Sequence, residues 1–446
     1  MRSFLTLLLA LVGSTASALQ VERSAVSRIS APVSSHEVFE QVWRVHPSEG
    51  DGLTSLVSSG VCQVYVSRGD STPSDGAVAT VRAVADTGEV LQVLSSPTSE
   101  STGQLRVSTA LGHLRIEVVV YTTSLGKITA ESSGDLVVDD HVLQAESGVG
   151  IEARGSGHVY VDARSPLTTH SLQVKSVGSG KITLAMSTAN IGSLNVSAMG
   201  PGDINIGAKE LIVSGGVAVH SVGSGAVHLA SSLWRSPLVS VLSEGSGEVV
   251  LSGDSGAHAD KCVWTGWGSG DINMGSVPCQ QGQLTTMGSG VFTVDVIDTL
   301  TCIQRGYSDI YYTGQPPREI VGVSERTSPI RQAKTPVKTA AEEAAWLNTF
   351  TLPPHRLSSF LNTGNGVYLD DDDDSDGVYY SYLDDKEDEK SDTDLKRWPL
   401  SRSLIALLVI GVVITMIAVI LNRIQVWRRR LDERTPLMKG EAPVYI

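Results

Sequence analysis

The sequence predicts an all-β protein: a parallel β-helix, or solenoid, with turns of about 22–23 residues, tethered to a membrane by one apolar helix. Three observations predict it. A glycine corner recurs at a nearly fixed interval, and alternating apolar pairs flank each corner. The chain also begins with a secretion signal and nears its end with an uncharged apolar run.

The corner is clearest in "SVGSGKITLA", residues 176–185, which returns as "SVGSGAVHLA" at 221–230. Aligned copies place one glycine at 112, 134, 157, 180, 202, 225, 247, 270 and 290. Intervals of 22 or 23 residues, shortening to 20 at the end, mark a stacked repeat. Before the corners stand pairs such as Ile151 and Ala153, Leu172 and Val174, Cys262 and Trp264. After them stand Val159 and Val161, Ile182 and Leu184, Ile272 and Met274. A period of two means strand with one face inward, so each unit holds two short strands joined at the corner. The remaining residues of a unit, with Leu167, Ile191, Leu211 and Leu233 as apolar candidates, predict a looser third side. Parallel stacking at about 4.8 Å lines the pairs into inward ladders. The corner glycines are expected to take positive φ and to leave room for the copy stacked above. A phosphate-cradling loop is excluded because a strand, not a helix, follows the glycines.

The elements follow in order. Arg2, the apolar residues 4–12 and Ala16-Ser17-Ala18 form a signal peptide ending at residue 18. Residues 19–100 are expected to hold degenerate turns and an N-terminal cap, since a solenoid's end strands are open edges. "SSGVCQVYV", residues 58–66, fits the corner-then-strand pattern with Cys62 inward. Residues 101–325 form the repeat domain. From 326 to 402 a disordered stalk is expected, with one short helix near 340–347. Between residues 370 and 394 stand thirteen Asp and Glu against two Lys, so most of the net charge of −14 sits in one segment. That segment cannot bury a core. Tyr368 just before it, and Tyr379, Tyr380 and Tyr382 within it, resemble tyrosine-sulfation sites. With that segment set apart the chain is near neutral, which argues against a nucleic-acid partner. Residues 403–421 form the membrane helix, "LIALLVIGVVITMIAVIL" spanning about 27 Å. Trp398 and Trp427 flank it, and Arg428–Arg429–Arg430 follow, which sets the N-terminus outside and the tail, 422–446, inside. In the tail Glu433, Leu437 and Met438 resemble an acidic dileucine sorting signal. The expected location is the cell surface or an endolysosomal or vacuolar membrane.

The phrases "GSGDINM" (268–274), "GPGDINI" (200–206) and "GSGKITL" (178–184) resemble the putative auto-transporter adhesin, head GIN domain-like family. The resemblance covers roughly residues 103–312. It implies a β-helical stack and an adhesin-like role, and it brings no catalytic residues.

The chemistry-bearing residues are sparse. No HExxH, CxxC or Ser-His-Asp set is legible, so no catalytic residue, metal or cofactor is expected. Outward positions after the corners offer a ligand-binding ladder: His158, Tyr160, Asp203, Asn205, His228, Glu248, Asp271 and Asn273. The expected partner is an unidentified extracellular glycan or protein. Asp203 and Asp271 lie three turns apart, roughly 14 Å, beyond the reach of a paired-carboxylate glycosidase. Glu248 and Asp271 are on adjacent turns, and an enzyme would use them. The alternatives to a non-enzymatic binder are this carbohydrate-active enzyme and a plain structural spacer. Asn195, in the sequon Asn195-Val196-Ser197, falls between inward residues and faces out as a glycosylation acceptor must. Of the cysteines, Cys262 with Cys279 or Cys279 with Cys302 can staple the C-terminal end, and we favour Cys262–Cys279. Cys62 lies about nine turns from Cys262, roughly 40 Å, too far for a disulfide.

Overall fold

The computed structural model describes residues 19–29, 38–47, 52–61, 63–85, 103–108, 114–122, 125–254, 256–324, 330–334 and 338–353. The signal peptide, Cys62, residues 370–394, the apolar run and the tail with Glu433, Leu437 and Met438 lie outside them. Among the described residues, no helix is long and apolar enough to cross a membrane.

Strands stack in parallel, one turn on the next, with like residues in register. Ile182 sits between Val159 and Ile204, and Leu184 between Val161 and Ile206. Every apolar pair expected to face inward does so. Ile151, Leu172, Leu194, Val217, Val239 and Cys262 are all at most 1% exposed, as are their counterparts after the corners. The third side is more regular than its sequence suggests. Strands Ile182–Ala198, Ile204–Ser221 and Val227–Ser243 run through it unbroken. Register shifts between Ile191 and Ser193, and between Ile212 and Val217, absorb the unequal turn lengths. Leu233 is not the core residue of its turn. Trp234 pairs with Leu211 and is fully buried, while Leu233 is half-buried beside Glu210.

The corners differ from expectation in their cause. Among the described corner glycines only Gly60 and Gly223 have positive φ. The others are glycine because the turns stack too closely for a side chain. A Cβ on Gly180 would sit 2.0 Å from the carbonyl oxygen of Gly157, and one on Gly157 2.1 Å from that of Gly134. The serine that opens the repeated phrase points inward. Ser176 and Ser221 are 1% exposed, and their hydroxyls donate to the carbonyls of Gly180 and Gly225. The residue before the first corner glycine faces solvent instead, leaving Val177, Met199, Trp267 and Met287 40–50% exposed along one edge.

At the N-terminal end the turns do not stack in chain order. Strand Ser55–Gly60 pairs with Gln104–Ser108 on one side and Lys127–Ser132 on the other. Gln63–Arg68 likewise lies between Leu114–Val120 and Leu136–Val138. The turn at 104–120 is therefore outermost, and the chain crosses back over the 55–68 turn before the regular stack begins. The cap is antiparallel. Val38–His46 pairs with Gln20–Arg23, Ser27–Ile29 and Ala79–Ala85, and Ala79–Ala85 closes on Leu114–Val120.

Cys262 and Cys279 form a disulfide with Cα atoms 6.0 Å apart, and Cys302 is buried and free. Asn195 is exposed between buried Leu194 and Val196.

Two carboxylates, Glu152 buried and Asp295 half-buried, show how the stack handles charge. Burial works to raise the Glu152 pKa, but Arg154, Lys127 and Lys175 outweigh it and hold the carboxyl below its usual range. Arg154 grips both Glu152 oxygens, at 3.0 and 3.1 Å. Asp295 lacks such help, and burial pushes it up to about 6. A raised pKa favours the protonated form in the fold. The contribution of Asp295 to stability is thus full below about pH 4 and is lost as pH rises through about 6. Asp295→Asn is expected to stabilise the protein by about 1 kcal/mol at pH 7.5, screening by solvent included, and to change nothing at pH 4. Thermal melts at the two pH values check this.

Candidate functional site

One outward row is covered by the chain itself. After the corners, register stacks Tyr160, Thr183, Asn205 and His228 on four successive turns. Their alternation with inward Val161, Leu184, Ile206 and Leu229 fixes the direction of each side chain. Over this row lies the segment 338–353, which was expected to begin the stalk. Instead, Arg331–Gln332 adds a last short strand to the stack, and two short helices follow, α1 (Ala340–Glu343) and α2 (Ala345–Thr349).

The reasons for these helices are local. Thr339 and Glu342 form a capping box at the start of α1. Ala340 and Ala344, small and four apart, are 1% and 8% exposed against the solenoid. The Ala341 N–H donates to Asp254, 3.3 Å away. Trp346 lies over Gly207, where a Cβ would meet its ring at 2.9 Å. At the far end Arg164 donates to the Phe350 carbonyl at 2.7 Å and pairs with Asp162 at 3.2 Å. Burial raises the Asp162 pKa, with the nearby Asp139 and Asp140 adding to it and Arg164 opposing. The segment is thus held at both ends and packed on a glycine between them.

Between segment and row remains a cavity of about 510 Å³. Its floor is Tyr160, Lys181, Thr183, Asn205 and His228. Its roof is Glu343, Trp346, Phe350 and Thr351. His228 Nδ1 lies 3.7 Å from Glu343, which also pairs with Lys338 at 3.3 Å. Trp346 and Phe350 meet edge to face, their centroids 5.8 Å apart. A volume in this range, with a few polar groups and aromatic walls, suits a small ligand or part of a larger one. Among the described residues, no cluster of His, Cys, Asp and Glu fits a metal ion.

Of the eight sequence candidates, Tyr160, Asn205 and His228 line this cavity. Three others are engaged within the stack. Asp203 accepts from the Ala226 N–H at 2.9 Å, Asp271 from the Val291 N–H at 2.7 Å, and His158 Nδ1 from the Lys181 N–H at 3.0 Å. The Asp of "GSGD" therefore bonds the next turn just past its corner. Glu248 is exposed outside the cavity, and Asn273 accepts locally from the Gly275 N–H. Sequence reasoning missed Glu343, Trp346 and Phe350. The short helix near 340–347 was legible, but nothing in its pattern pointed to the face it covers.

Three crystal structures share parts of its path. A putative adhesin from Bacteroides fragilis is 15% identical, with a TM-score of 0.33, over 64% of this chain and 97% of its own. A putative lipid binding protein from Parabacteroides distasonis is 16% identical, with a TM-score of 0.35, over 71% and 97%. A putative adhesin from Parabacteroides merdae is 12% identical, with a TM-score of 0.31, over 71% and 97%. No curated protein matches the chain. Residues 54–253 match the family described as putative auto-transporter adhesin, head GIN domain, the family that the glycine-rich phrases resemble.

Proposed function

We propose that the protein is a non-enzymatic, adhesin-like surface protein whose solenoid captures a ligand in the cavity between its outward row and the segment 338–353. The observation that carries this reading is the convergence of Tyr160, Asn205 and His228 from separate turns with Trp346 and Phe350 from the segment above. The family match over residues 54–253 supports an adhesin-like role. The solenoid stands on the extracellular or lumenal side, the apolar run at 403–421 anchors it, and the acidic segment holds it off the bilayer. Glu433, Leu437 and Met438 direct its traffic.

The enzyme alternative has less support, because the Asp271 carboxylate is engaged by the next turn. The full-length chain, screened on glycan and surface-protein arrays with sugar turnover read in parallel, tests the proposal. Saturable binding without turnover is expected, at least tenfold weaker in Trp346→Ala. Binding that ignores Trp346→Ala contradicts the site. Turnover lost in both Glu248→Gln and Asp271→Asn contradicts the non-enzymatic reading. No saturable ligand at all makes the protein a spacer.

A further inference from the structure

The chemistry of the cavity narrows its ligand. The floor is one face of a parallel sheet whose backbone groups are already paired within the stack. A peptide therefore finds no open strand edge there. What the floor presents is side chains: a phenol at Tyr160, a hydroxyl at Thr183, an amide at Asn205 and an imidazole at His228. The roof adds the Trp346 and Phe350 rings. Hydrogen-bonding groups facing aromatic rings match a ligand with hydroxyls around its edges and weakly polar C–H faces, which is a pyranose.

Charge supplies the second constraint. Glu343 is neutralised in place by Lys338, 3.3 Å away. Lys181 has no such partner: among the described residues its ammonium forms no ion pair, and its hydrogen bonds run through the backbone, the N–H donating to His158 and the carbonyl accepting from the Val159 N–H. One uncompensated cation at a site otherwise balanced calls for one anionic group on the ligand. A polyphosphate or nucleic acid would crowd several charges onto that single ammonium.

Resting on the reading of this cavity as the ligand site, we infer that its ligand is an acidic saccharide, one carboxylated sugar of which sets its carboxylate on Lys181 and a ring face on Trp346. Lys181 discriminates acidic from neutral sugars, and Trp346 supplies affinity to both.

The test uses a uronic-acid tetrasaccharide and the same tetrasaccharide with its carboxylates reduced to alcohols, titrated calorimetrically into the full-length chain. The acidic form is expected to bind at least tenfold more tightly. In Lys181→Met, which leaves the backbone bond to His158 intact, the two forms bind alike, at the level of the reduced one. In Trp346→Ala both weaken and the acidic preference survives. Equal binding of the two forms by the unaltered chain overturns the inference, as does an acidic preference that outlasts Lys181→Met. If neither tetrasaccharide binds while an array ligand binds in a Trp346-dependent way, the saccharide is wrong and the site stands. If nothing binds in a Trp346-dependent way, the site itself is wrong and the inference falls with it.

Discussion

Gly180→Val is expected to cost about 4 kcal/mol or more, enough to unfold the stack around it. The reason is distance. A Cβ at this position would lie 2.0 Å from the Gly157 carbonyl oxygen, and that atom belongs to the backbone of the neighbouring turn. A flexible side chain can swing away from such a contact, but a paired turn cannot move without breaking its ladder. Ser179, exposed between the two glycines of the same corner, provides the control. Ser179→Ala changes stability by less than about 0.5 kcal/mol, as surface substitutions do. Urea unfolding of both variants separates the two. A mild Gly180→Val would mean that neighbouring turns spread easily, and the close-stacking explanation of the repeated glycines would fail.

Trp264→Ala carries the second large effect, about 3–5 kcal/mol. Trp264 is fully buried, and its ring N–H points to the Met274 sulfur at 3.0 Å. The space it fills exists because the next turn has Gly282 in register with Cys262, and a Cβ on Gly282 would lie 2.8 Å from the Trp264 ring. The pair is thus large against absent. Gly282→Leu alone should overpack the site at a cost of about 1–3 kcal/mol. Combined, Trp264→Ala and Gly282→Leu should cost less than the sum of the two, because the new side chain occupies the vacated volume. Strict additivity in urea unfolding would show that the two sites do not share a cavity.

These two positions also show how the sequence can be read. Period-two pairs around a corner name the inward residues directly, because strand geometry leaves each side chain only two directions. Trp264 was legible in that way. Trp234 was not: on the third side the turns differ in length, and a one-residue slip exchanges Leu233 for Trp234 at the inward position. The glycines were legible as corners, but their cause lies in contact between turns, which one turn's sequence does not display. The same holds for Asp203 and Asp271. Their recurrence was plain, yet a recurring polar residue on an outward face reads equally as a ligand site or as a bond to the neighbouring turn, and the structure gives them that bond. The stacking order at the N-terminal end was not legible either. It depends on strand Ser55–Gly60 finding partners about 50 and 70 residues further along. The cavity required a segment from beyond the repeats to fold back on them, and only its own short helix was written in the sequence.

The central claim is that ligand enters between the outward row and the segment 338–353. Hydrogen exchange of the full-length chain, with and without a saturating array ligand, tests it most directly. Slowed exchange is predicted at residues 160–162, 183–185, 205–207 and 228–230 together with 340–351. Protection centred instead on the exposed edge of Val177, Met199, Trp267 and Met287, with 340–351 unchanged, would contradict the claim and move the binding site to the corners of the stack.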